Sequence, residues 1–211
     1  MQDLSQLYTA VLEGNAKLSK SVTEVALAEG VDPQVLVTSY MIPAMDEAGR
    51  RFECNDFFVP ELLIAARAMK ASLEIIRPLL AARGAQPVGR VVIGTVKGDL
   101  HDIGKNLVAA MLEGGGFEVN DLGVDVSPEK FAAAAREKNA TIVALSALLT
   151  TTMPSMRATV EALKTAGVRG QVKIMIGGAP VTQKYADEIG ADGYSENAAG
   201  AVNLARRLMA A

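Results

Sequence analysis

Among the 211 residues there are one cysteine, one histidine and no tryptophan, and each scarcity removes a class of function. A single thiol, Cys54, makes no internal disulfide framework. Nor can it build a cysteine-rich zinc or iron–sulfur centre, which needs several thiolates. With no histidine near it in sequence, Cys54 is expected to be a small buried or half-exposed apolar residue rather than a nucleophile. Five phenylalanines and four tyrosines form no stacking ladder, there is no basic run, and the net charge is −3. That balance carries no electrostatic footprint for nucleic acid. No uninterrupted apolar stretch reaches the ~18 residues that a membrane span requires. The start, Met1-Gln2-Asp3-Leu4, lacks the basic and apolar regions of a signal peptide. The expectation is a soluble, cytoplasmic protein with neither a membrane nor a nucleic-acid partner. A chain of this length buries on the order of 70% of its unfolded surface and needs no staples.

What is present divides into two grammars. Up to residue 83 the apolar positions recur at helical spacing. Leu4 to Leu12 is a short amphipathic segment ending at Gly14-Asn15, and Ala16 to Ala28 is a second that stops at Gly30. Asp32-Pro33 opens a third, an N-cap followed by proline at the first helical position. Its core candidates are Val35, Leu36, Tyr40, Met41, Met45 and Phe52, with a kink expected at Pro43. The fourth begins near Pro60 and carries Leu62, Leu63, Ala66, Met69, Leu73, Ile76 and Leu79. Four helices with short connections predict an antiparallel four-helix bundle over residues 1–83.

Residues 84–89, small and punctuated by glycine and proline, read as a linker. From residue 90 to 211, β-branched runs at Val91–Val96, Phe117–Val119, Thr141–Leu145 and Val172–Ile176 alternate with helical patterns, and a weak fifth strand falls at Gly193-Tyr194. The helical patterns cover Gly104–Glu113, Pro128–Lys138, Met153–Ala166, Thr182–Ile189 and Ala198–Met209. Strands apolar on both faces and alternating with helices predict a doubly wound parallel sheet of flavodoxin-like α/β type.

The sole histidine, His101, lies in Gly98-Asp99-Leu100-His101-Asp102-Ile103-Gly104, at the carboxyl end of the first predicted strand. Ligands bind at that edge in open α/β sheets. A lone histidine there is ordinarily a solvated turn residue, and the rest of the edge decides otherwise. The phosphate readings fail on spacing. Five residues separate Gly98 from Gly104 and Lys105 is followed by Asn106, which is not a P-loop, and no dinucleotide fingerprint stands at the first turn. Gly114-Gly115-Gly116 follows a helix and reads as a C-terminal cap and turn. The third strand ends in Ser146-Ala147-Leu148-Leu149-Thr150-Thr151-Thr152, whose threonines serve either as a helix N-cap or as site hydroxyls. The fourth ends in Gly177-Gly178, where the absence of Cβ admits a flat ligand to the backbone. Three strand ends thus converge on one crevice. With one histidine, a bound metal has to bring its remaining ligands in a macrocycle, haem or corrin.

Asp99-x-His101-x-x-Gly104, then 41 residues, Ser146-x-Leu148, 28 residues and Gly177-Gly178 resembles, at every element and both gaps, the cobalamin-binding domain of cobalamin-dependent methionine synthase and of corrinoid methyltransferase systems. Phe57-Phe58-Val59-Pro60-Glu61-Leu62-Leu63 is similar to the helical cap domain of the same proteins. The resemblance covers nearly the whole chain. It implies a corrinoid carrier protein that binds cobalamin base-off, with His101 as lower cobalt ligand, Asp99 accepting its other N–H and Thr152 completing that relay. It implies further that Gly98, Leu100, Asp102, Ile103 and Gly104 take part in binding the cofactor, and that Ser146, Leu148, Thr150, Gly177, Gly178 and Ala198 line the nucleotide tail. Phe58 and Leu62 would shield the upper face.

The resemblance also implies a methyl group taken onto cobalt(I) from a substrate-specific methyltransferase. It would then be passed, from the methylcobalamin-loaded state, to a second methyltransferase whose acceptor is tetrahydrofolate or a thiol, with a reductive activase as a third partner. Proton uptake by the Asp99–His101 pair is expected to couple to loss of the lower ligand and so to the methylation state, and the two domains to hinge near residues 82–89 so that the cap can move aside. The alternative is a cobalamin-binding sensor or regulatory module, against which stand the lack of a DNA-binding segment and of the tryptophan such caps tend to use. A mutase subunit would lack the cap-like first 80 residues, and the motif spacing makes haem remote.

Overall fold

A computed structural model describes residues 3–210 and divides into two compact units. One runs to Pro87 and takes in Glu113–Gly116. The other comprises Val88–Leu112 and the chain from Phe117 onward.

The first unit is helical. It comprises α1 (Ser5–Leu12), α2 (Ala16–Ala28), α3 (Pro33–Leu36), a π-helical turn (Val37–Met41), α4 (Ile42–Glu53) and α5 (Val59–Ala82). Asn15 caps α2 by accepting from the Leu18 amide, and Asp32 caps α3 from the Gln34 amide with Pro33 behind it. The helix expected from Asp32 onward is one run, α3 through α4, and the irregularity at Pro43 takes the form of the π turn. Pro43 has no N–H to return to the carbonyl four residues back. The preceding turn widens instead, so that Ile42 N–H donates to the Val37 carbonyl. Pro78 lies within α5 without ending it.

Leu7, Val11, Val22, Leu36, Met41, Met45, Leu62, Met69 and Ile76 are buried in this unit. Polar groups join them: the Ser19 hydroxyl lies 2.6 Å from that of Ser72, Thr23 Oγ1 donates to Ser72 Oγ at 2.9 Å, and Ser19 also donates to the Ala68 carbonyl. A buried hydroxyl network whose members satisfy one another pins α2 to α5 in one register, because a slip would strand each of them. Cys54 departs from expectation. It is exposed, since it caps α4 past the last buried residues, Ala48 and Gly49, and enters a turn rather than the core.

The second unit is a five-stranded, all-parallel sheet in the order β2-β1-β3-β4-β5. Its strands are β1 (Arg90–Thr95), β2 (Glu118–Asp121), β3 (Ile142–Ser146), β4 (Lys173–Gly177) and β5 (Gly193–Ser195). The helices between and after them are α6 (Ile103–Gly114), α7 (Pro128–Glu137), α8 (Pro154–Thr165), α9 (Gln183–Ile189) and α10 (Ala198–Ala210). Val92, Val143, Leu145, Ile174 and Ile176 pack on one face against Phe131, Met156, Val160, Leu163 and Ile189 from α7, α8 and α9. Right-handed crossovers in an order that reverses at β1 send α6 to the opposite face. The reversal opens a crevice at the carboxyl ends of β1 and β3, the switch point at which such sheets bind ligands. Among the described residues no helix is long and apolar enough to cross a membrane.

Candidate functional site

The carboxyl ends of four strands lie in one row, with Thr95 paired to Ser146, Ser146 to Gly177 and Gly177 to Ser195. The loops leaving that row build the site. Thr95 Oγ1 donates to the His101 carbonyl at 2.8 Å and folds the segment after β1 back over the strand end. Sequence reasoning missed Thr95, whose only signal was a hydroxyl closing an otherwise apolar strand.

Asp99 is fully buried and organises everything around it. Its Oδ1 accepts from His101 Nδ1 at 2.7 Å and from the His101 amide at 3.0 Å. Its Oδ2 accepts from the Leu148 amide at 2.8 Å, the Thr152 hydroxyl at 2.7 Å and, longer, the Leu149 amide at 3.4 Å. Burial alone would raise the Asp99 pKa. The hydrogen bonds from Thr152, from the His101 and Leu148 amides and from the His101 ring outweigh it and hold the carboxyl well below the usual carboxylate range. An ionised carboxylate only accepts, so the proton of the ring pair belongs on Nδ1 and the lone pair on Nε2. The threonine ambiguity also resolves. The residue that caps α8, Met153, makes no side-chain cap bond, and Thr152 serves Asp99 instead.

Around the half-exposed imidazole the surface is unusually apolar. Leu100 is 71% and Ile103 79% exposed, and Leu148 and Leu149 are also open. Large exposed hydrophobic residues concentrated in the two loops that flank one available nitrogen are what a broad apolar ligand would cover. Gly104, in the first turn of α6, has nothing within 4 Å of where a Cβ would stand, so the protein itself does not require glycine there. Gly178 is different: its φ is +129° and a Cβ would lie 1.9 Å from the Ala147 carbonyl oxygen, so the backbone just past β3 demands it. Gly98 turns through the left-handed region, at φ +84°. Asp102 accepts from Asn106 Nδ2 at 3.1 Å across the first turn of α6.

Of the residues anticipated, Gly98 to Gly104, Ser146, Leu148, Thr150, Thr152, Gly177 and Gly178 therefore stand at one sheet edge. Ala198 opens α10 just past β5 with its side chain buried. Phe58 and Leu62 belong to the helical unit. Phe58, which caps α5 through its amide to Glu61 Oε2, is 62% exposed beside exposed Val59, Leu63 and Ile64. Leu62 is a correction. It is fully buried and offers no surface to a ligand, because its turn position on α5 faces inward while Leu63 and Ile64 face out.

No group of three or more histidine, cysteine, aspartate or glutamate side chains that would hold a metal occurs among the described residues. A lone oriented imidazole within an apolar rim, beside a glycine that leaves its Cβ space open, fits a metal carried in a macrocycle.

Comparison with known proteins agrees with that chemistry. The B12 binding domain family matches residues 89–203, and a second family of the same description matches residues 4–77. Trimethylamine corrinoid protein 1 of Methanosarcina mazei is 47% identical over 196 residues, which covers 92% of this chain and 91% of the relative. The fold superposes on a cobalamin-binding protein from Desulfitobacterium hafniense with TM-score 0.80 at 34% identity, covering 99% of each chain. It also superposes on a chain of the methanol:cobalamin methyltransferase complex of Methanosarcina barkeri with TM-score 0.87 at 30% identity, covering 98% of this chain and 80% of the other.

Proposed function

The chain belongs to the family of corrinoid proteins built from B12 binding domains, and from that membership we propose that it is a methyl carrier. It takes a methyl group from a substrate-specific methyltransferase and yields it to a second methyltransferase whose acceptor is tetrahydrofolate or a thiol, with a reductive activase restoring it after oxidation. A methylated amine is the donor class we favour, on the identity to the trimethylamine relative.

The observation that carries the reading is the Asp99–His101 pair, which presents Nε2 from a buried anionic anchor amid exposed leucine and isoleucine. Bound cobalamin would supply a cobalt centre able to accept and release a methyl group. The protein's part is to hold it base-off. His101 Nε2 would take the place of the cofactor's own base, and Ser146, Thr150, Gly177 and Gly178 would flank the displaced tail. Asp99 fixes the tautomer and makes the imidazole a better donor. Thr152 and the Leu148 amide hold the far carboxylate oxygen, so that anchor cannot swing away.

The test is reconstitution of the full chain with methylcobalamin. Retention of corrinoid through gel filtration, with a visible spectrum that His101→Ala converts to one lacking imidazole coordination, is the expected result. Retention with an unchanged His101→Ala spectrum removes His101 as ligand, and no retention by the unaltered chain refutes the reading.

A further inference from the structure

The segment that carries His101 is held from a second side, by a loop to which nothing above assigns a role. After β2 the chain runs Leu122-Gly123-Val124-Asp125-Val126 alongside β1: the Leu122 amide donates to the Ile93 carbonyl, the Thr95 amide to the Gly123 carbonyl and the Val126 amide to the Thr95 carbonyl. At its centre Asp125 makes two bonds to the histidine loop. Its Oδ1 accepts from the Gly98 amide at 2.7 Å, and its own amide donates to the Asp99 carbonyl at 2.9 Å.

Asp125 does so from the left-handed region, at φ +51°. A residue with a Cβ is uncommon there and persists where its surroundings over-determine it. That conformation is what turns the side chain and the amide of one residue toward the same pair of partners. The near end of the loop is anchored as well. Buried Lys105, one residue beyond Gly104, pairs with Asp121 Oδ2, and Asp121 Oδ1 accepts from the Gly123 amide at 2.9 Å. Asp99 is therefore gripped at both ends, its carboxylate by residues 148–152 and its backbone by Asp125.

We propose that Asp125 is a positioning residue for His101: by fixing the backbone of Gly98 and Asp99 it sets how firmly the Asp99–His101 pair is held, and so how well Nε2 is presented. The inference rests on the reading of His101 as lower ligand, and the test separates the two.

Because His101 is the only histidine, ring-nitrogen NMR of the cofactor-free full chain gives one unambiguous set of imidazole signals. Asp125→Gly keeps the left-handed backbone and deletes the acceptor. Asp125→Asn keeps an oxygen acceptor on a residue type that also tolerates that conformation. The expected result is that Asp125→Gly weakens the Nδ1–H to Asp99 signature and accelerates exchange of that proton. In chain reconstituted with methylcobalamin it lowers the ratio of imidazole-coordinated to uncoordinated cofactor by between about two- and tenfold, the worth of one ordinary hydrogen bond. Asp125→Asn restores both. Should Asp125→Gly fail to fold, Asp125→Ala, which likewise deletes the acceptor, takes its place.

A variant that loses thermal stability while its ring signals stay those of the parent chain overturns the proposal and leaves Asp125 a structural residue only. Failure of Asp125→Asn to restore the signals overturns it too. If the parent chain never shows imidazole coordination, the lower-ligand reading fails, and the cofactor-free ring signals still decide whether Asp125 positions His101.

Discussion

Replacing Asp99 by asparagine preserves shape and removes charge, which makes its consequence calculable. Five donors converge on the two carboxylate oxygens: the amides of His101, Leu148 and Leu149, the His101 Nδ1–H and the Thr152 hydroxyl. An amide side chain has one acceptor oxygen and one NH2 group, so one of the two clusters meets a donor instead of an acceptor. If NH2 takes the Oδ2 place, Thr152 can rotate to donate to the Leu149 carbonyl, 2.9 Å away, but the Leu148 amide has no such freedom. If it takes the Oδ1 place, the imidazole is driven to the other tautomer, with its proton on Nε2, and the His101 amide is stranded. Either way a backbone N–H loses its partner in a buried site and a charge-assisted bond disappears. Those losses amount to about 3 kcal/mol. For a unit of roughly this size that is a fall of about 10 °C in its melting temperature. Far-UV circular dichroism of the cofactor-free chain, following the transition of the α/β unit, measures the loss, and ring-nitrogen NMR reads the tautomer. A destabilisation under about 1 kcal/mol together with an unchanged tautomer would refute the claim that Asp99 anchors the site.

Three further outcomes follow from other residues. Gly178→Ala sets a Cβ against the Ala147 carbonyl oxygen at a φ that alanine avoids, so denaturant melts should show a loss of about 2–4 kcal/mol, and tolerance would mean that the strand ends do not approach as described. Gly104→Leu meets open space: the cofactor-free chain should keep its stability to within about 0.5 kcal/mol while corrinoid retention falls at least tenfold, and equal retention would place the ligand elsewhere. In the helical unit the Glu47 carboxyl is lowered to about 2 by hydrogen bonds first from Arg50 and then from Arg51. Its folded pKa lies below its unfolded one, so its contribution is present above about 4.5 and is lost as pH falls through about 2. Carboxyl-carbon NMR should therefore find Glu47 ionised at pH 3.5, and titration at the ordinary glutamate value would break the assignment.

How much of this was readable beforehand depends on the range over which each constraint acts. Periodicity is local. The apolar runs that became β1, β3 and β4, and the cap signals at Asn15 and Asp32, therefore stood in the sequence, as did the imidazole beside a carboxylate. Constraints that act between distant segments did not. The side of α5 on which Leu62 falls differs from that of Leu63 by one residue of helical rotation, too fine a distinction when both are leucine. Gly178 looked like a residue made small for a ligand, yet the nearest atom to its missing Cβ is the Ala147 carbonyl oxygen, just past the end of the neighbouring strand, so its smallness answers first to the protein. Gly104 is the contrary case, since no protein atom requires its lack of a side chain. The difference bears on function more than either motif match does. A glycine that the fold needs says nothing about a ligand, whereas one facing open space beside an oriented imidazole is free to answer to one, and corrinoid retention by Gly104→Leu decides whether it does.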